Sequence, residues 1–254
     1  MWIDGLFVRG IRQTLLMQPK FNAYIDGFNL YKGVLSKRPH LKWLDLKSWC
    51  ESLLPNYSLN TVYYFTARVK RKYEFDKAPE RQHLYLRALQ KSGVEIAYGR
   101  TRKSSKWQRL SSGSRNEIIQ PELKSNLGLT QMTINSAFRK SLPDVPKAQV
   151  LYYEEKGTDV NIASYLLRDC YNTDSNASLV VSGDADLVTP IRFACESGQF
   201  IKIVVPNSGQ KIAELGSVSS EISVINPDQL CDFQFPTIYE APTGRLIHRP
   251  PDWS

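Results

Sequence analysis

The chain has 254 residues, 42% of them hydrophobic, and its 33 Lys and Arg against 25 Asp and Glu leave a net charge of +8. A chain of this length buries roughly 70–75% of its unfolded surface and needs no disulfide staples. Cys50, Cys170, Cys195 and Cys231 never form C-x-x-C, and His40, His83 and His248 stand apart. This argues against a Cys/His zinc site and for a reducing, cytoplasmic setting.

The first apolar stretch, Gly5–Met17, is interrupted by Arg9, Arg12 and Gln13. It is too short and too charged to span a membrane and lacks a small-residue cleavage site, so residues 1–19 read as an N-terminal extension. Phe21–Asp26 is an apolar run closed by Asp-Gly, as in a buried parallel strand. Leu30, Tyr31, Val34 and Leu35 then fall at helical spacing. A second helix runs from Asp45, a good N-cap, to the stop at Pro55. Leu59–Thr66 predicts strand two, Pro79–Gln90 a helix, and Val94–Tyr98 strand three after the Ser92-Gly93 break.

Residues 100–146 interrupt this rhythm and read as an insertion, with helical character near Leu129–Leu142. The core pattern is expected to resume with a strand at Val150–Tyr153. A helix follows at Thr158–Tyr171, a strand at Ser178–Ser182, a helix at Leu187–Glu196, and strands at Phe200–Val205 and Ile222–Ile225. Alternating strands and helices predict an α/β domain over residues 20–225, built on a parallel sheet with right-handed crossovers. The Pro-rich residues 226–254 read as an extended C-terminal strap.

The charge is unevenly placed. Fourteen Lys and Arg against four acids give Arg68–Arg115 a net +10, which leaves −2 for the rest of the chain. Such a segment faces either solvent or a polyanion such as RNA. Its candidate contacts are Arg68, Lys70, Arg71, Lys72, Arg102, Lys103, Lys106 and Trp107. A ring among cations is a stacking platform, so Trp107 favours a single strand.

The acids fall at the ends of predicted elements. Asp26 closes strand one, Asp159 opens a helix, and Asp184 and Asp186 follow the strand at Ser178–Ser182. In open α/β sheets ligands bind beyond the carboxyl ends of the strands, at the switch point, which an order of 3-2-1-4-5 places between strands one and four. Any one of these residues could be a plain turn former or helix cap. Four carboxylates together are stable mainly around a cation, and oxygen ligands favour Mg²⁺ or Mn²⁺. Such an ion supports phosphodiester hydrolysis without a His or Ser nucleophile. Asn29, Thr158 and Ser182 are the supporting polar residues, and Gly27, Gly157 and Gly183 would let backbone approach a ligand.

Four segments carrying these residues, Tyr24–Tyr31, Tyr64–Arg68, Glu154–Asn161 and Val181–Leu187, closely resemble bacterial NYN domain proteins of the PIN-like nuclease superfamily. The resemblance spans about residues 21–225, and the tail around Gly244–Pro251 also looks like the end of bacterial members. It implies a PIN-like three-layer α/β/α sandwich that cleaves RNA with Mg²⁺ or Mn²⁺ held by Asp26, Asp159, Asp184 and Asp186, with Asn29 as a polar helper. The expected activity is a metal-dependent ribonuclease acting on single-stranded RNA, with homodimerisation left open. The alternative is an RNA-binding or adaptor module of the same fold with little turnover. A haloacid-dehalogenase-like phosphatase would need an acid where Phe28 stands, and neither G-x-G-x-x-G nor G-x-x-x-x-G-K-[ST] occurs.

Overall fold

The computed structural model describes residues 18–71, 73–109, 147–172, 175–207 and 212–253. Lys72, the helix expected near Leu129–Leu142, and nearly all of the N-terminal extension lie outside them. The chain divides into two units, one formed by residues 1–100 with 157–254, the other by residues 101–156.

The first unit is built on a six-stranded sheet. Its strands are β1 (Lys20–Asp26), β2 (Ser58–Thr66), β3 (Glu95–Tyr98), β6 (Ser175–Val181), β7 (Phe200–Val205) and β8 (Glu221–Val224). Every pairing is parallel and the order is β3-β2-β1-β6-β7-β8. The sheet thus holds one strand more than the five-strand order read from the sequence, with Glu221–Val224 at its edge. β1 sits between β2 and β6, and six of its seven residues are buried, as a strand covered on both faces requires.

Side-chain alternation along β1 sorts the core into two layers. Phe21, Ala23 and Ile25 join Leu46, Trp49, Leu86 and Leu89 on one face. Tyr24 joins Ile162, Leu166, Ile191 and Leu187 on the other. The first layer is supplied by helices α2 (Leu46–Leu53) and α3 (Ala78–Lys91). The second comes from α4 (Thr158–Asn172) and α5 (Val188–Glu196). A parallel sheet flanked by helices on both faces is the three-layer α/β arrangement. A short α1 (Gly27–Leu30) leads from β1 into a π-helical turn at Tyr31–Leu35, and α6 (Ile212–Gly216) precedes β8.

Local chemistry sets these boundaries. Asp45 caps α2 by accepting from the Lys47 and Ser48 backbone N–H groups at 3.1 and 3.4 Å. Pro79 occupies the first turn of α3, and Gly93, at φ +94°, takes the left-handed turn after it.

Two expectations need correction. Val150–Tyr153 does not enter the central sheet. It belongs to β5 (Lys147–Lys156), which pairs with β4 (Arg100–Arg109) in a separate two-stranded sheet. An apolar, aromatic run satisfies strand patterning in either sheet, and only the long-range pairing decides. The C-terminal segment is also more than an extended strap. It forms 3₁₀ turns at Pro227–Phe233 and Pro251–Trp253 and an antiparallel hairpin of β9 (Ile238–Glu240) and β10 (Leu246–His248). It docks through Trp43, whose indole N–H donates to the Pro236 carbonyl at 3.0 Å. The Trp43 ring centroid lies 5.8 Å from that of Phe235 and 6.2 Å from that of Trp253.

Candidate functional site

The carboxyl ends of β1 and β6 lie side by side, with Ile25 in register with Val181. Beyond them β1 continues into α1, and β6 into the 3₁₀ turn Ala185–Leu187. This is the switch point of the sheet, where connections leave towards opposite faces. Gly27 turns the chain there because a Cβ would fall 2.6 Å from the Tyr64 side chain and 2.7 Å from the Phe65 carbonyl oxygen. Packing against β2 thus requires a glycine at this position.

Asp26 is 2% exposed. One carboxylate oxygen accepts from the Asn29 backbone N–H at 2.8 Å, the other from the Ser182 hydroxyl at 3.1 Å. Ser182 is itself buried, and its oxygen accepts from the Asp184 backbone N–H at 3.2 Å. Asp184 then caps the 3₁₀ turn by accepting from the Asp186 N–H at 3.0 Å. Asp26, Asn29, Ser182, Asp184 and Asp186 thus form one hydrogen-bonded chain across the β1–β6 junction.

Burial raises the Asp26 carboxyl above its ordinary range, the Asn29 and Ser182 hydrogen bonds oppose this, and the Asp184 charge adds to the rise. Asp159, at the start of α4 beside the buried Thr158, is also raised. Burial is the main cause, followed by repulsion from Asp184, Asp26 and Asp186 in that order. The four carboxylates named from the sequence therefore share one electrostatic field. Among the described residues, however, no three His, Cys, Asp or Glu side chains are arranged to hold a metal ion. The cluster is electrostatically coupled without being a preassembled cage.

The basic candidates divide between the two units. Arg68, Lys70 and Arg71 are exposed on the loop after β2. The Arg68 guanidinium lies 4.7 Å from the Tyr98 ring centroid, and Arg71 is ion-paired with Glu80. Arg102, Lys103, Lys106 and Trp107 are exposed on β4 of the second unit, Trp107 at 67%.

Sequence reading missed a polar cluster beneath α4. Asp169, 2% exposed, accepts from the Tyr24 hydroxyl at 2.9 Å and the Asn22 amide at 3.3 Å, and is ion-paired to Arg168 at 2.6 Å. The Arg168 guanidinium also donates to the Tyr63 hydroxyl at 3.0 Å. The available signal was positional. Asp169 stands seven residues after Ile162 and three after Leu166, on the apolar stripe of its helix.

No family model matches the chain. Over 208 residues it is 26% identical to 6-hydroxy-3-succinoylpyridine 3-monooxygenase HspA of Pseudomonas putida. That match covers 74% of this chain, and the chain spans only 59% of the relative's length. Among solved structures it is similar to a protein of unknown function from Vibrio parahaemolyticus. The TM-score is 0.45 and the identity 12%, over 84% of this chain and 96% of that one. Among the described residues no helix is long and apolar enough to cross a membrane.

Proposed function

We propose that the chain is a metal-dependent ribonuclease of the PIN-like, NYN type, hydrolysing RNA phosphodiester bonds at the β1–β6 switch point. The observation that carries this is the hydrogen-bonded chain that joins Asp26 through Ser182 to Asp184 and Asp186 across the β1–β6 junction. The side-chain atoms that Asp26, Asp159, Asp184 and Asp186 offer are all oxygens, which suits Mg²⁺ or Mn²⁺. Asp26, Asp159, Asp184 and Asp186 would hold the ion, which when bound supplies an activated water and relief of charge on the phosphate. Asp159 and Asp184 are half-buried and Asp186 is exposed, so each has room to turn towards a ligand.

The remaining chemistry belongs to the chain. The Ser182 hydroxyl and the Asn29 N–H fix both oxygens of Asp26, leaving that carboxylate without rotational freedom. Ser182 also orients the backbone of Asp184, so one hydroxyl aligns acids from two strands. The test is Mn²⁺- or Mg²⁺-dependent cleavage of a single-stranded RNA, with EDTA and Asp26→Asn each abolishing it. Cleavage that survives both sinks the proposal. Salt-sensitive RNA binding without products under any divalent ion would instead favour the adaptor reading. A second enzymatic reading, monooxygenation of a pyridine derivative, is favoured by the Pseudomonas relative. Oxygen uptake on 6-hydroxy-3-succinoylpyridine with a reductant would select it.

A further inference from the structure

The loop between β2 and α3, residues 67–77, leaves the sheet beside the acidic cluster, because Phe65, two residues before Ala67, is in register with Asp26. Its tip displays two large aromatic rings to solvent, Tyr73 at 66% and Phe75 at 82% exposure. Arg68, Lys70, Arg71, Lys72 and Lys77 surround them in sequence, against only Glu74 and Asp76.

The loop is pinned. The Val69 N–H donates to the Gln82 side-chain oxygen at 2.8 Å, and the Gln82 amide donates back to the Ala67 carbonyl at 2.9 Å. The Asp76 N–H closes a turn on the Tyr73 carbonyl at 3.1 Å. The buried Asp76 carboxylate accepts from the Ala78 N–H at 2.9 Å. Arg71 donates to the Glu74 carbonyl at 3.3 Å while pairing with Glu80. Exposed rings on a mobile loop would lose entropy on engaging a ligand. Here these hydrogen bonds hold described residues on both sides of the rings, and the apolar surface is left open.

We infer that Tyr73 and Phe75 form a base-stacking platform that holds single-stranded RNA beside the acidic cluster. Every base offers a π-face, and cations around a ring follow the phosphates, so this combination fits an unpaired strand. Bases in a duplex are already stacked and cannot use it. The substrate assignment rests on the ribonuclease reading above, whereas the platform can be tested without turnover.

The experiment measures, in EDTA, the affinity of the full chain for three labelled probes of equal charge: a 12-nucleotide single-stranded RNA, its abasic counterpart, and a duplex. Tyr73→Ala/Phe75→Ala should weaken single-strand binding by about 10- to 100-fold. Binding of the abasic strand and the duplex should be unchanged, and Phe75→Trp should retain affinity. Both residues are exposed, so thermal melting should match the wild type. An unchanged affinity for the single strand, or an equal loss on the abasic strand, overturns the inference. So does a change in hydrodynamic size in the double variant, which would mark the patch as an interface between copies. Base-selective binding without divalent-dependent cleavage keeps the platform and removes the ribonuclease. Cleavage with binding indifferent to the double variant does the reverse.

Discussion

Two buried aspartates share one face of the molecule and are treated in opposite ways. Asp169 and Asp26 are each 2% exposed, and the Asp169 network reaches Asn22 and Tyr24 on the same strand that ends in Asp26. Asp169 has an arginine, a phenol and an amide around it. Asp26 has two neutral donors and faces Asp184, and burial raises its pKa. A buried charge costs several kcal/mol unless paired; Asp169 has its cation in Arg168, and under the proposed function a metal ion would supply one for Asp26.

Substitutions at the two aspartates should separate their roles. The largest expected loss of stability is from Asp169→Ala, which leaves the Tyr24 hydroxyl and the Asn22 amide without their acceptor. A cost on the order of 3 kcal/mol, read by denaturant melts, is expected for those groups. Asp26→Asn should behave in the opposite sense, losing divalent-dependent cleavage by roughly 100- to 1,000-fold without loss of stability. Adding Mn²⁺ at about 100 times its dissociation constant should stabilise the wild type by about 2.7 kcal/mol. The Asp26→Asn variant should show little of this shift in the same thermal melts. Ser182→Ala removes one donor to Asp26 and the acceptor of the Asp184 N–H, and should cost about 1 kcal/mol of stability and roughly tenfold in cleavage.

The smallest effect concerns pH. Folding holds the Asp26 carboxyl above its ordinary 3.8, so the folded state binds this proton more tightly than the unfolded chain. Its contribution to stability is full below 3.8 and is lost as the pH rises through the raised value. Asp26→Asn should therefore melt higher than the wild type at neutral pH, with the gap closing on acidification. A gap that widens in acid would mean that Asp26 is stabilised as the carboxylate.

The acids of the candidate site were legible because each interrupts an apolar strand-to-helix junction, where local patterning is clearest. Asp26 after Phe21–Ile25 and Asp184 after Leu179–Ser182 are visible from neighbours a few residues away. Asp169 was not. Its place on the apolar stripe of its helix marks it only as inward-facing, and its meaning comes from Tyr24 and Asn22, which lie 145 and 147 residues away. Tyr73 and Phe75 were hidden for the converse reason, since aromatic residues in sequence read as core until exposure is known. Val150–Tyr153 was misplaced because strand period does not name a partner strand.

The sequence by itself determined the alternation of strands and helices, the apolar run of β1, the cap at Asp45, and the positions of the four acids. These follow from interactions within one or two turns of the chain. Tertiary structure alone decided that Asp26 and Ser182, 156 residues apart, share a hydrogen bond. It also decided that Asp159 feels three other carboxylates, and that Trp253 closes over Trp43. Local propensity is a property of short segments, whereas burial, pairing and field are properties of atoms that meet only when the sheet has closed.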